Sequence, residues 1–326
     1  MMMTARIPSL AFRVVLGMGI VVGADAYAQS VNSLRIVVAG NAGSPPDVVS
    51  RIVATELAES NNWRVIVENR PGALSTLAIG DVLKQPADGR TIITIDVPVV
   101  TAPALAPDRN WRLETDFAPV IKLSKDYHVL VVNPSVPARS LAELIALLKS
   151  QPGKFNFSSG PFGTPAHLIG EMFKLQTGVV ATHVPYPGPQ QRLSDLMGGI
   201  TQFDFMAASN VVGLIATGRL RALAVTAPRR VVLLKDVPTV VEQGFPDLVV
   251  EGWEGFGVRA GAPTEMIARL NAAVNATLAT EKVRHAFANL GVEPVGGTAA
   301  EFGAFLSSQI SHWGGVVRES GIKMPR

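Results

Sequence analysis

One stretch decides the fold: Leu34-Arg35-Ile36-Val37-Val38-Ala39, followed directly by Gly40-Asn41-Ala42-Gly43-Ser44-Pro45-Pro46-Asp47. Its first six residues are short and rich in β-branched side chains, which predicts a buried strand. A helical pattern of apolar residues opens at Asp47 and runs to Leu57. A strand, a loop of small residues and a helix, in this order, are the unit of an α/β fold.

The same alternation of strand and helix continues along the chain. Further strands are predicted at 63–67, 91–95, 128–132, 154–157, 180–183, 202–206, 220–226 and 253–258. Further helices are predicted at 79–83, 141–148, 164–176, 189–197, 210–217, 264–278, 281–290 and 299–319. Apolar strands that alternate with helices predict parallel sheets with helices on both faces. No low-complexity linker divides the chain, which favours two lobes joined by short strand crossovers over separate domains.

Composition excludes several classes of protein. The chain has 326 residues, enough for two common domains, and is 48% hydrophobic and 17% charged, so it is not disordered. Its net charge is +3 without a run of like charges, so we expect no nucleic-acid partner. Cysteine is absent, which excludes disulfides, thiol nucleophiles and Cys-ligated metals.

Residues 1–28 have the three parts of a secretory signal peptide. A start with Arg6 and Arg13 and no acid is followed by the apolar run 14–22 and by the small-x-small exit Ala26-Tyr27-Ala28. We therefore predict export and cleavage after Ala28. An uncleaved membrane anchor is the alternative, although the apolar run is short for a bilayer.

Two strand-to-helix loops are candidate binding sites for an anion. They are 40–47 and 158–165, and each precedes a predicted helix whose N-terminal N–H groups and dipole favour negative charge. The alternative reading is a capped turn, with Thr164 as N-cap and Pro165 as the first helical residue, and the two readings are compatible. Neither loop matches the dinucleotide fingerprint or the P-loop, so we expect no cofactor.

Catalytic and metal sites have little support in the sequence. The histidines are His128, His167, His183, His285 and His312, without HExxH, HxH or an acidic cluster at ligand spacing. Ser158 or Ser159 with His167 is the nucleophile and base pair that can be imagined, and it lacks an evident third member. We therefore expect neither catalytic nor metal-binding residues, and a binding protein instead of an enzyme.

Six ordered motifs carry a family resemblance. They are Glu68-Asn69-Arg70-Pro71-Gly72-Ala73, Ala87-Asp88-Gly89, Asp116-Phe117-Ala118-Pro119-Val120, His183-Val184-Pro185-Tyr186, Leu220-Arg221-Ala222-Leu223-Ala224-Val225-Thr226 and Asp236-Val237-Pro238-Thr239-Val240. Together they resemble the Bug family of extracytoplasmic solute receptors linked to tripartite tricarboxylate transporters, along residues 34–321.

The resemblance implies a periplasmic binding protein of the Venus-flytrap kind (type II-like), with a parallel or mixed sheet in each lobe. Lobe 1 would be 29–127 plus 230–326, and lobe 2 would be 128–229. Such a receptor is a periplasmic monomer that holds a small organic acid through backbone amides and hydroxyls and delivers it to membrane transporter subunits. A sensor that feeds a kinase ectodomain is the alternative, and an enzyme on the same fold is a further one.

The chain also departs from the family pattern. The first loop in such receptors usually reads Pro-x-Pro-Ala-Gly-Gly-x-x-Asp, whereas here Pro45 and Pro46 lack N–H donors and Asn41 adds a polar side chain. Hydroxyls at Ser75 and Thr76 stand where glycines are usual, and Met206 replaces an aspartate, with Asp204 two residues earlier. We expect the acid to be anchored in the second loop, with a more apolar opposite end.

The predicted ligand-binding residues are Asn41, Ala42, Gly43, Ser75, Thr76, Asp96, Ser159, Gly160, Gly163, Thr164, Tyr186 and Asp204. Phe162 is expected to add an apolar wall beside them.

Overall fold

The structure is a computed structural model that describes residues 33–322, and the predicted signal peptide lies outside that range. The strands are β1 (Ser33–Val38), β2 (Arg64–Asn69), β3 (Thr91–Asp96), β4 (Phe117–Val132), β5 (Asn156–Ser159), β6 (Thr182–Pro185), β7 (Phe203–Ala207), β8 (Arg221–Val225), β9 (Glu251–Arg259) and β10 (Glu293–Gly296). The helices are α1 (Pro45–Asn61), α2 (Thr76–Leu83), α3 (Val97–Leu105), α4 (Leu113–Asp116), α5 (Leu141–Ser150), α6 (Pro165–Thr177), α7 (Pro189–Met197), α8 (Ala208–Ala216), α9 (Thr264–Ala279), α10 (Glu281–Asn289) and α11 (Ala299–Ser320).

The strands form two sheets that share the long strand β4. The first sheet has the order β2-β1-β3-β9-β4-β10, and the second has the order β8-β4-β7-β5-β6. The strands of the βα units pair in parallel, whereas β4 and β9 pair antiparallel with their neighbours. Alternation alone predicted parallel sheets, and that is wrong at β4 and β9. Strand β4 runs from the first sheet into the second, β9 pairs with β3 and β4 in the first sheet, and all of these pairings are antiparallel, so both sheets are mixed.

Strand β4 changes partners in its middle. Its residues up to Tyr127 pair with β9, and from His128 onward they pair with β7. Thr226, just after β8, links this crossover to the returning chain: its hydroxyl accepts from the His128 N–H at 3.0 Å and donates to the Val250 carbonyl at 3.0 Å. The two crossovers therefore lie side by side between the sheets, as in a two-lobed flytrap.

Helices cover both sheets and bury their apolar faces. One cluster packs α1, α9 and α10 on the first sheet through residues such as Val53, Leu57 and Phe287. A second joins α3, α6 and α11 to the first and second sheets around Trp253 and Trp313. Full burial of one such side chain contributes about 1.5–3 kcal/mol. Among the described residues, no helix combines the length and hydropathy that crossing a membrane requires.

Most predicted elements are present, whereas α3, the short helix α4, strand β10 and the first two thirds of β4 were not predicted. Helix α3 contains Pro98 and Pro103, which hide its helical pattern, and it begins because the Asp96 carboxylate accepts a hydrogen bond from the Val99 N–H at 3.2 Å. The predicted strand 128–132 is the last third of β4. Charged residues such as Lys125 and Asp126 interrupt the apolar pattern earlier in that strand.

Candidate ligand-binding site

Two turns of the same design open onto one cleft between the sheets. In the first, the Ser44 N–H donates to the Asn41 carbonyl at 3.1 Å, and in the second the Thr164 N–H donates to the Pro161 carbonyl at 3.1 Å. The third residue of each turn is a glycine with positive φ, +76° at Gly43 and +81° in the second turn. That conformation is the one that a type II turn needs and glycine adopts most easily.

The hydroxyls at these helix starts point back into the turns. The Ser44 hydroxyl donates to the Asn41 carbonyl at 2.6 Å, and the Thr164 hydroxyl donates to the Pro161 carbonyl at 2.7 Å. Neither side chain caps its helix, although both residues occupy the N-cap position and a proline follows. The alternative prediction of a capped turn is therefore correct for the positions of Thr164 and Pro165 and wrong for the hydrogen bond of the cap. Both helix N-termini open onto the cleft, but α1 lacks the N–H groups of Pro45 and Pro46 and holds the buried Asp47 carboxylate in its first turn, whereas α6 lacks only the N–H of Pro165.

The cleft has a volume of about 670 Å³, a size typical of small-molecule sites. Half of the predicted residues line it, namely Asn41, Ser75, Asp96, Gly160, Thr164 and Tyr186, as does Phe162. The other half lie outside its lining, namely Ala42, Gly43, Thr76, Ser159, Gly163 and Asp204.

Several of the residues outside the lining already have partners within the protein. The Gly43 N–H donates to Asp47 at 2.9 Å, and the Gly163 N–H donates to Nδ1 of His167 at 3.2 Å. The Ser159 side chain is fully buried and its hydroxyl donates to the Gly160 carbonyl at 2.7 Å. The Gly163 amide and the Ser159 hydroxyl are therefore engaged within the protein, whereas Gly160 and Thr164 line the cleft.

Asp204 is fully buried beneath the cleft and is held by Arg192. The guanidinium donates to both carboxylate oxygens, with Nε at 2.6 Å from Oδ2, and the Ser158 hydroxyl also donates to Oδ2 at 2.6 Å. Burial raises the pKa of Asp204, while the Arg192 charge and hydrogen bonds lower it. Arg192 lines the cleft, and the sequence analysis did not name it. No local pattern indicates that an arginine in a helix is buried against an aspartate in a strand.

A second guanidinium also lines the cleft. Arg109 donates from Nη1 to the Leu74 carbonyl at 3.5 Å, and its Nε has no hydrogen-bond partner. Partial burial lowers the pKa of Arg109. The family resemblance implied binding without cationic side chains, and the sequence analysis did not name this residue, which lines the cleft with an unpartnered Nε–H.

The loop before α2 has a strained backbone where it lines the cleft. Gly72, Ala73, Leu74 and Ser75 have consecutive φ values of +115°, +47°, +51° and +64°. Each non-glycine residue in this region costs about 1–2 kcal/mol. Such strain persists where the surrounding structure fixes it, and it concentrates at ligand sites.

Two hydrogen bonds close the cleft from opposite lobes. The Asn41 amide donates to the Pro187 carbonyl, and the Thr101 hydroxyl donates to the Gly163 carbonyl at 3.2 Å. The side-chain amide of Asn41 is thus committed to an inter-lobe contact. We refer to this hydrogen bond between Asn41 and Pro187 as the latch.

A histidine cluster lies behind the second turn. Ligand atoms of His167, Glu171 and His183 lie within 4.8 Å of one another, an approach that sequence spacing did not predict because His183 arrives from β6. Lys174 donates to Glu171 at 2.8 Å, and Nε2 of His183 lies 2.6 Å from the Ser159 hydroxyl. Burial lowers the pKa of His167 to about 3 and of His183 to about 4. The cluster therefore consists of neutral histidines with an internal ion pair, and it satisfies its own polar groups.

The floor of the cleft is acidic. Asp96, Asp126 and Glu254 all line it, from β3, β4 and β9. Sequence reasoning named only Asp96. A signal for Glu254 exists in the run Gly252-Trp253-Glu254-Gly255, since a carboxylate between glycines in an otherwise buried strand needs an explanation.

Comparison with known proteins identifies the family. The profile of the tripartite tricarboxylate transporter family receptor matches residues 49–322. Protein BugT of Bordetella pertussis is 33% identical over 310 residues, 94% of each chain. The structure of Rpa4515 of R. palustris with adipate has a TM-score of 0.84 at 30% identity and covers 89% of this chain and 98% of that one. MatC from Rhodopseudomonas palustris with bound malate has a TM-score of 0.81 at 28% identity and covers 87% and 99%. This chain therefore belongs to the tripartite tricarboxylate transporter receptor family, and its fold is that of a two-lobed periplasmic binding protein.

Proposed function

We propose that this chain captures a small organic acid between its lobes in the periplasm and presents it to a membrane transporter. The observation that carries the proposal is the uncapped N-terminus of α6, at Pro165, which opens onto the cleft. Burying a carboxylate is costly unless it is hydrogen-bonded, and helix ends supply N–H donors without a reorganisation cost. The similar proteins with adipate and malate support a carboxylate ligand.

The acid would be anchored near the start of α6. Gly160 and Thr164 line the cleft there, and Arg109 contributes a guanidinium with a free Nε–H. The charge of Arg192 is neutralised by Asp204, so Arg192 contributes to the shape of the cleft more than to its charge. The ligand would thus meet the N-terminus of α6 and one half-buried arginine.

Capture of the ligand depends on closure of the two lobes. We propose the lobe division at 29–127 plus 230–326 and at 128–229, which the change of partners of β4 between Tyr127 and His128 supports. A ligand that touches both lobes stabilises the closed state only by its higher affinity for that state. The closed surface is then the form that the transporter recognises, and the ligand leaves chemically unchanged.

Export and assembly complete the proposal. We propose that residues 1–28 direct secretion and are removed after Ala28, and that the mature protein acts as a monomer. Mass spectrometry of the protein from the periplasmic fraction and light scattering during gel filtration test these two points.

A thermal-shift screen of small carboxylates, with isothermal titration of the best of them, tests the binding function. An acid at a hundredfold excess over its Kd should add about 2.7 kcal/mol to the free energy of unfolding. Arg109→Gln should weaken binding at least tenfold because it removes a charged donor, and Thr164→Val should weaken binding because it removes the hydroxyl that holds the turn before α6. The exposed, distant Thr115→Val is the matched control. If no acid raises the Tm, or if both cleft variants bind like the wild type, the proposal is wrong.

A further inference from the structure

The acidic floor of the cleft is built by strand register. Alternate residues of β4, Ser124 and Asp126, point to the same face of the sheet, and β9 places Glu254 opposite the first and Gly252 opposite the second. Strand β3 places Asp96 opposite Glu254 from the other side. Three carboxylates from three strands therefore share one patch at the bottom of the cleft.

These carboxylates are buried without a cation. The exposed fractions are 6% for Asp96, 3% for Asp126 and 5% for Glu254. Among the ion pairs of residues 33–322, none involves any of the three. Nearby Lys122 pairs with Glu251 at 2.6 Å instead. The patch is thus a group of three buried carboxyls without an ion-pair partner among the described residues.

Hydrogen bonding leaves specific acceptors open. The Ser124 hydroxyl donates to Oε2 of Glu254, and the Val99 N–H donates to Oδ1 of Asp96 at 3.2 Å. Oδ2 of Asp126 and Nδ1 of His128 are buried and have no partner, and both residues line the cleft. Unpaired buried polar atoms are costly, so their presence at the cleft points to a partner that arrives with the ligand, and the Asp126 carboxylate oxygen calls for a donor.

Gly252 makes room for this arrangement. A Cβ atom at position 252 would lie 2.0 Å from Oδ1 of Asp126 and 3.3 Å from Cε1 of His128. Glycine weakens a strand interior and marks a place where another group must approach closely. Here it allows the Asp126 carboxylate to lie across β9 at the floor of the cleft.

We propose that this acidic floor binds a protonated amine of the ligand, so that the receptor selects amine-bearing acids over the corresponding plain carboxylic acids. The inference rests on the proposed function, since it assigns the second end of the same cleft. An ammonium group has three donors and no acceptor, which suits Asp126, His128 and Glu254 together. A plain dicarboxylate would place negative charge against the same acids.

The ionisation of the floor agrees with this assignment. Burial raises the pKa of Asp96 and of Asp126 to about 7, and burial with the neighbouring Asp126 charge raises the pKa of Glu254 well above its ordinary value. A ligand ammonium would favour the ionised carboxylates and supply the missing counter-charge.

Isothermal titration with matched ligand pairs tests the inference. The pairs are succinate and L-aspartate, glutarate and L-glutamate, and adipate and L-2-aminoadipate, each at pH 8. We expect the amino member of at least one pair to bind at least tenfold more tightly, equivalent to about 1.4 kcal/mol. Asp126→Asn should remove that preference, because the loss of its charge weakens binding of the ammonium group and relieves the repulsion of the plain acid. The matched control is Asp247→Asn, an exposed acid outside the cleft lining, which should change neither.

Each other outcome has a definite meaning. Plain acids that bind as tightly as their amino partners, or more tightly, overturn the amine site and leave the proposed function intact. Plain acids that bind more tightly as the pH falls from 8 to 5 show that protonated floor acids donate to a carboxylate, which also overturns it. Failure of both members of every pair, and of all acids in the thermal-shift screen, overturns the proposed function itself. If Asp126→Asn does not fold, the wild-type pairs alone decide.

Discussion

Replacing Asp126 by asparagine should stabilise the ligand-free protein, and more so at high pH. Asparagine keeps the shape of the side chain and cannot ionise, whereas the buried carboxylate must be ionised in the folded protein above its raised pKa of about 7. Because the folded protein holds the proton more strongly than the unfolded chain, Asp126 contributes stability at low pH that is lost as the pH rises from about 4 to 7. The substitution removes that loss.

The magnitude follows from the size of the shift. The pKa of Asp126 rises from 3.8 to about 7, and each unit corresponds to about 1.4 kcal/mol. At pH 5 the folded protein keeps most of its proton, and at pH 8 it has lost it, so two of the three units are released between these values. The advantage of Asp126→Asn over the wild type should therefore grow by about 2–3 kcal/mol from pH 5 to pH 8.

Urea denaturation followed by tryptophan fluorescence measures this difference. The free energy of unfolding is determined at pH 5, 6, 7 and 8 for the wild type, Asp126→Asn and the exposed control Asp247→Asn. The reasoning is refuted if the advantage of Asp126→Asn is the same at pH 5 and pH 8, or if the control shows the same trend. A stabilised variant with a weaker amine preference would also show that this acid is kept for function at a cost in stability.

Three further outcomes test other parts of the site. Arg192→Met should lower the free energy of unfolding by about 3–5 kcal/mol in urea denaturation, because it leaves Asp204 buried and unpaired, and an unchanged midpoint would contradict the buried pair. Ala73→Gly should raise the free energy of unfolding by about 0.5–1 kcal/mol, because glycine relieves the left-handed strain at an exposed position; a lower Tm would show that the loop is not strained there. Asn41→Ala should weaken acid binding in titration calorimetry and enlarge the ligand-free protein in small-angle scattering, because the inter-lobe hydrogen bond is lost, and an unchanged radius of gyration would exclude the latch.

Local patterns predicted the elements that depend on local physics. The two turns could be found because glycine with positive φ, a hydroxyl residue and a proline at the first helical position leave a recognisable trace in the sequence. Helix α3 could not be found, because its start depends on the Asp96 carboxylate and its prolines conceal the pattern. Asp204 was expected to line the cleft. Its position in the sequence of β7 could not show that the Arg192 side chain pairs with it.

The sequence by itself determined the α/β alternation, the two turns before α1 and α6, and the family, because each is written in residues that are neighbours along the chain. Only the tertiary structure decided what the cleft contains at its floor. Ser124 and Glu254 are 130 residues apart, and they meet because β4 and β9 pair in one register. Spacing along a chain specifies which face of an element a residue occupies, whereas contacts between elements depend on strand register and packing. Register and packing brought the three acids to one end of the cleft without a cation.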